Sequence, residues 1–182
     1  MNAPETSPDR RKKTLVIGYG NELRGDDGAG RKLAEEVESW GIDGVETLSV
    51  RQLAPEIASA LHGCSRAVFA DATAANDTVT EVRVIPLGPH DNRTAAPPRS
   101  HHCGPNEILA LAAKLYGATP AAVLITIPGV DFGFSESLSP RAAANLSVAL
   151  DAARRLIEAR PADGIGWEKD PGFAPGEFTS RP

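Results

Sequence analysis

The sequence predicts an α/β domain with a largely parallel sheet covered on both faces, because short apolar runs alternate with amphipathic helical stretches. Two observations near the start set the pattern. Lys13-Thr14-Leu15-Val16-Ile17-Gly18 is a short β-branched run stopped by glycine, as in a buried parallel strand. Ala29, Leu33, Val37 and Trp40 then form a helical stripe, with Arg31, Lys32, Glu35, Glu36 and Glu38 on the wet face. The third observation is that this alternation repeats along the chain until five strands are counted.

Val45 to Val50 reads as a second, weaker strand, and Pro55 opens a short helix through Ile57, Ala58 and Leu61 that ends at Gly63. Ser65 to Asp71 is a third strand with Asp71 at its carboxyl end. Val79 to Leu87 alternates like a half-exposed edge strand. Residues 88–100 form a long Pro-containing loop, a type that is usually functional or mobile in compact domains. Asn106 to Leu115 reads as a helix with Ile108, Leu111, Ala112 and Leu115 on its apolar face, ended by Gly117. Ala121 to Ile127 is a further buried strand. Ser139 caps a last helix with Pro140 at its first position, and Leu146, Leu150, Ala153 and Ile157 form its buried face. Residues 1–12 are expected to be a disordered arm, 13–160 the folded domain, and 161–182 a disordered tail. No repeat is visible.

Composition narrows the function classes. The chain has 182 residues, 41% of them hydrophobic, with 19 Lys+Arg against 24 Asp+Glu and a net charge of -5. A mildly acidic chain without a basic stripe argues against nucleic-acid binding. No apolar run approaches the roughly 18 residues that span a bilayer, so no membrane association is expected. Two cysteines, Cys64 and Cys103, are too few for a disulfide scaffold and suit a reducing cytoplasm.

Ligands of doubly wound sheets gather beyond the carboxyl ends of the strands. Gly18 to Gly28, Asp71 and the Ser100-His101-His102 loop all fall there. Gly18-Tyr19-Gly20 invites a dinucleotide reading, but the third glycine of the fingerprint would be residue 23, which is Leu23. Asp26 and Asp27 would also repel a pyrophosphate at the helix start. A nucleotide-dependent enzyme is therefore disfavoured. Asp26-Asp27 can be read as an N-cap with a favourable first-turn charge, which suits one aspartate better than two. The sharper reading aims a carboxylate over the strand ends. Asp71 can likewise be a turn cap, and either histidine a plain loop residue. Taken together, two carboxylates and an imidazole around one crevice make an oxygen and nitrogen ligand set suited to Zn, Ni or Fe. With three protein ligands, such a site stays open for water or a substrate donor.

At these residues the chain resembles the hydrogenase maturation proteases, the endopeptidases that trim the C-terminus of the nickel-iron hydrogenase large subunit. The resemblance is carried by Ile17-Gly18-Tyr19-Gly20-Asn21-Glu22-Leu23-Arg24-Gly25-Asp26-Asp27-Gly28-Ala29-Gly30. It continues through Val68 to Ala72, Ser100-His101-His102, Leu115-Tyr116-Gly117 and Ile127-Pro128-Gly129. It implies a three-layer α/β/α sandwich with a twisted, mainly parallel five-stranded sheet. It also implies nickel carried by the large-subunit precursor and recognised through a Glu/Asp, an Asp and a His. Carried over, these are Asp27, where the family often has Glu, then Asp71, and then His101 with His102 as its alternate. Asp27 and Asp71 are also the implied catalytic residues. Whether an aspartate base or a nickel-polarised water attacks the peptide stays open, as does a non-catalytic nickel chaperone built on the same groups. Loop 88–102 and Asp131-Phe132-Gly133-Phe134 are expected to shape the substrate groove, although loop packing accounts equally well for the two phenylalanines.

Overall fold

Side chains alternate across the strands with period two, and each set finds its own helical layer. In the computed structural model, which describes residues 13–88 and 103–159, β1 spans Thr14–Tyr19, β2 Val45–Val50, β3 Arg66–Ala74, β4 Arg83–Leu87 and β5 Ala121–Gly129. Helices α1 (Ala29–Ser39), α2 (Ile57–Ala60), α3 (Pro105–Tyr116) and α4 (Pro140–Glu158) follow β1, β2, β4 and β5, while β4 follows β3 with no helix between them. Leu15, Ile17, Ala67, Phe69, Ala122 and Leu124 point to one face, where Ile57, Leu61, Ile108 and Ala112 of the α2–α3 side cover them. Val16, Val68, Ala70, Val123, Ile125 and Ile127 point to the other, against Leu33, Val37, Ala149 and Ala153 of α1 and α4. This is the expected three-layer α/β/α arrangement.

Strand order is β2-β1-β3-β5-β4, parallel except for β4, which pairs antiparallel with β5 at the edge. The order reverses direction between β1 and β3, so the crevice of the fold lies past their carboxyl ends. Helix α1 reaches that crevice because two glycines let it approach the sheet. A Cβ on Gly18 would overlap the Gly30 carbonyl, and one on Gly30 would overlap the carbonyls of Ala70 and Tyr19. The first loop is also tied laterally, with Arg31 of α1 bridging to Glu22 at 2.8 Å and donating to the Ser49 hydroxyl at 3.0 Å.

Several expectations need correction. β3 continues to Ala74 rather than stopping at Asp71, because β5 keeps pairing with it through Ala74↔Gly129. The edge strand begins at Arg83, since residues 76–79 are folded into a turn by the Asn76 side chain, which accepts from the amides of Thr78 and Val79. On α3, Leu109 is buried while Leu115 is exposed. The fully buried face of α4 is Ala142, Ala149, Ala152 and Ala153 with the mostly buried Leu156, and Leu146, Leu150 and Ile157 lie at its margin. Alanines allow close approach, so the larger side chains are displaced sideways. The expected arm 1–12, His101 and His102 with the loop before them, and the tail 161–182 lie outside the described residues.

Candidate active site

β1 and β3 deliver neighbouring polar groups to the crevice. Tyr19 is the last residue of β1, and Asp71 follows Ala70, whose partner Gly18 marks the last rung the two strands share. The Tyr19 hydroxyl donates a hydrogen bond to the Asp71 carboxylate. Burial raises the Asp71 pKa to about 7, and the charge of Asp27 adds to the rise. Hydrogen bonds from Tyr19 and from the Ala72 amide offset part of it. The Tyr19 phenol is pushed well above its ordinary value, first by burial and then by the Asp71 carboxylate.

Asp27 arrives from the loop after β1. Residues Gly25–Gly28 form a 3₁₀ turn that runs into α1. Asp27 Oδ2 accepts from the Asn21 amide at 2.8 Å, which orients the carboxylate within its own loop. The Leu23 amide is taken by Asn21 Oδ1 at 3.1 Å. Amides that would cradle a pyrophosphate in a dinucleotide site are thus already occupied, in keeping with the missing third glycine.

The adjacent Asp26 does something different. It is fully buried and accepts four hydrogen bonds from the chain after β5: the amides of Val130 at 2.7 Å, Asp131 at 2.9 Å and Ser139 at 2.6 Å, and the Ser139 hydroxyl at 2.7 Å. Burial alone would raise its pKa, but the donors on Asp131, Ser139 and Val130 outweigh burial and hold it below the ordinary carboxylate value. Gly129 makes room for it, since a Cβ there would stand 2.5 Å from the Asp26 Cβ. Neither acid caps α1, whose N-cap is Gly28 without a side-chain bond. The capping reading of the pair is therefore replaced by a division of labour, with Asp26 turned into the scaffold and Asp27 left at the crevice.

Of the four residues expected at the site, the structure brings Asp27 and Asp71 together. His101 and His102 lie outside the described residues. Among the described residues no group of three His, Cys, Asp or Glu side chains is placed to hold a metal ion. The two carboxylates still fit a cation, because two acids held close with one pKa raised gain from any positive charge placed between them. Residue-by-residue reading missed Tyr19, Asn21 and Ser139 as supporting groups. The first two lie inside the motif itself, so their place beside the glycines was the available signal. Phe134 is 88% exposed, which removes loop packing as its explanation, while Phe132 is half-buried.

No family model matches the chain, and no curated protein matches it. Solved structures do. The nickel-iron hydrogenase maturation protease HybD from Thermococcus kodakarensis superposes with a TM-score of 0.64 at 25% identity, covering 80% of this chain and 99% of that one. The hydrogenase maturating endopeptidase HybD from E. coli gives 0.64 at 20% identity, over 78% of this chain and 89% of that one. A hydrogenase 2 maturation peptidase from a Thaumarchaeota archaeon gives 0.59 at 21%, over 82% and 100%. In fold, and over nearly the whole length of these neighbours, the chain is similar to solved hydrogenase maturation proteases.

Proposed function

We propose that the chain is an endopeptidase that removes the C-terminal extension of a nickel-iron hydrogenase large-subunit precursor after nickel insertion. The observation that carries this reading is the meeting of Asp27 and Asp71 over the ends of β1 and β3, with the Asp71 pKa raised to about 7. Nickel is cargo of the substrate in this reading. Asp27, Asp71 and His101, or His102 in its place, contribute oxygen and nitrogen donors to an ion already held by the precursor. Cleavage then becomes conditional on insertion, because only a loaded precursor is drawn onto the acids. Asp71 has a proton to give up near neutral pH as the cation arrives, and as a carboxylate it is placed to take one from the attacking water. The scissile C–N bond breaks with that oxygen on the acyl carbon and a proton on the departing amine. A protease of this kind works in the compartment where the precursor is assembled, which for this chain is the cytoplasm.

The test is incubation of purified protein with nickel-loaded precursor, followed by mass analysis of the C-terminus. Loss of the terminal peptide, dependent on nickel, is the expected result. Tight nickel binding by the protein alone, with an intact precursor, would favour the chaperone instead.

A further inference from the structure

Two loops from opposite ends of the sequence are joined beside the acidic crevice. Gly25 donates its amide to the Ser135 carbonyl at 2.7 Å, Ser135 donates back to the Leu23 carbonyl at 3.1 Å, and Arg24 and Ser135 form a parallel bridge. Asp26 clamps the same second loop at Val130 and Asp131. The loops are therefore held by the backbone, yet they carry large apolar side chains in water: Leu23 is 47%, Val130 56% and Phe134 88% exposed. Apolar groups fixed outward next to a crevice mark a contact surface rather than a folding element.

Arg24 lies in the middle of this surface. Its Nε donates to the Phe132 carbonyl at 3.2 Å, which orients the guanidinium, and among the described residues it has no carboxylate partner. A guanidinium anchored through Nε, whose terminal nitrogens have no partner among the described residues, is set to receive a carboxylate in a forked contact.

Resting on the endopeptidase reading above, we propose that Leu23, Val130 and Phe134 form a docking shelf for the precursor segment beside its cleaved bond. We further propose that this segment presents a bulky apolar side chain next to a carboxylate that Arg24 receives. Continuity selects this occupant. Leu23 lies between Asn21 and Asp27 in one loop, and Val130 is bonded to Asp26, so a chain engaged at Asp27 and Asp71 runs onto the shelf. A second copy of the protein fits less well, because two-fold contact of the shelf with itself sets Arg24 against Arg24.

The experiment compares wild type with Phe134→Ala, Leu23→Ser and Arg24→Gln on nickel-loaded precursor, measuring cleavage kinetics and, separately, precursor binding by titration calorimetry. All three side chains are exposed, and thermal melts check that each variant folds. The expected result is a KM or dissociation constant raised about tenfold for Phe134→Ala with kcat within about twofold, and weaker salt dependence for Arg24→Gln. Unchanged KM in a cleaving system overturns the shelf, as does a fall in kcat alone. If wild type binds the precursor without cutting it, the endopeptidase reading fails, and the binding titration decides the shelf separately. Equal binding by wild type and Phe134→Ala overturns it and weaker binding by the variant supports it. Sedimentation showing a wild-type dimer that Phe134→Ala dissolves, at equal KM, reassigns the surface to self-contact and overturns the proposal.

Discussion

Asp26 accepts both the amide and the hydroxyl of Ser139, at 2.6 and 2.7 Å, while that hydroxyl accepts from the Ala142 amide at 3.1 Å as the cap of α4. One buried carboxylate thus connects the loop after β1 to the start of the last helix. The geometry of the acidic turn depends on the seating of a helix more than a hundred residues away in sequence.

Replacing Asp26 by Ala leaves four donors facing a cavity. The expected destabilisation is roughly 3–5 kcal/mol, measured by urea unfolding, because unsatisfied buried donors cost more than the bonds contribute. Asp26→Asn retains an acceptor but turns an NH₂ toward those donors, and should fall between wild type and Ala.

The depressed pKa of Asp26 gives its contribution a pH window. The unfolded carboxylate titrates near 3.8 and the folded one lower, so the stabilisation is complete above pH 3.8 and is lost as pH falls through the folded value. The gap in melting temperature between wild type and Asp26→Asn should therefore be constant from pH 7 to 5 and narrow below pH 4.

Asp71 has the opposite sign. Its folded pKa of about 7 lies above the unfolded 3.8, so its carboxyl favours the fold below pH 3.8 and that contribution is lost as pH rises through 7. Asp71→Asn should abolish precursor cleavage while stabilising the protein at pH 8 by about 1–2 kcal/mol, discounted for solvent screening. Thermal melts at pH 5 and pH 8 check this, with the stabilisation seen at the higher pH.

Asp27→Ala, Asp71→Ala and His101→Ala should each reduce cleavage by a factor of about a hundred or more while the circular dichroism spectrum stays that of wild type. Full activity in His101→Ala with loss in His102→Ala would reassign the imidazole.

Gly30→Ala should destabilise by about 3 kcal/mol or more, since its methyl meets backbone carbonyls that cannot move aside. Those carbonyls belong to Tyr19 and Ala70, so the displacement falls on the residues that place Asp71. Folded Gly30→Ala protein, isolated at low temperature, should cleave more slowly than its folded fraction explains.

The elements set by local periodicity were legible in the sequence: β1, β2, α1 and the Ser139-Pro140 start of α4 fall where their patterns put them. Two acids beside glycines fit a cap poorly and point to a carboxylate over the strand ends, and it is the family resemblance that selects Asp27 of the pair. What was not legible depends on distant partners. Asp26 meets residues 104, 105 and 113 positions away, so no local pattern separates its role from that of Asp27. The extension of β3 past Asp71 follows from pairing with β5 through Pro128 and Gly129, residues that read locally as a turn. On α4, leucine spacing pointed to the wrong edge of the stripe, because helix packing on this sheet is decided by where alanines permit contact.

The overhang of β3 and β5 beyond β1 has an energetic consequence. Asp71 stands on a strand that its β5 neighbour holds along one side, and Asp27 on a turn fastened from behind by Asp26. Both acids are therefore preorganised before anything enters the crevice. If the proposed cleavage holds, the entropy of assembling the encounter falls mainly on the incoming substrate, since these two acids are already in place.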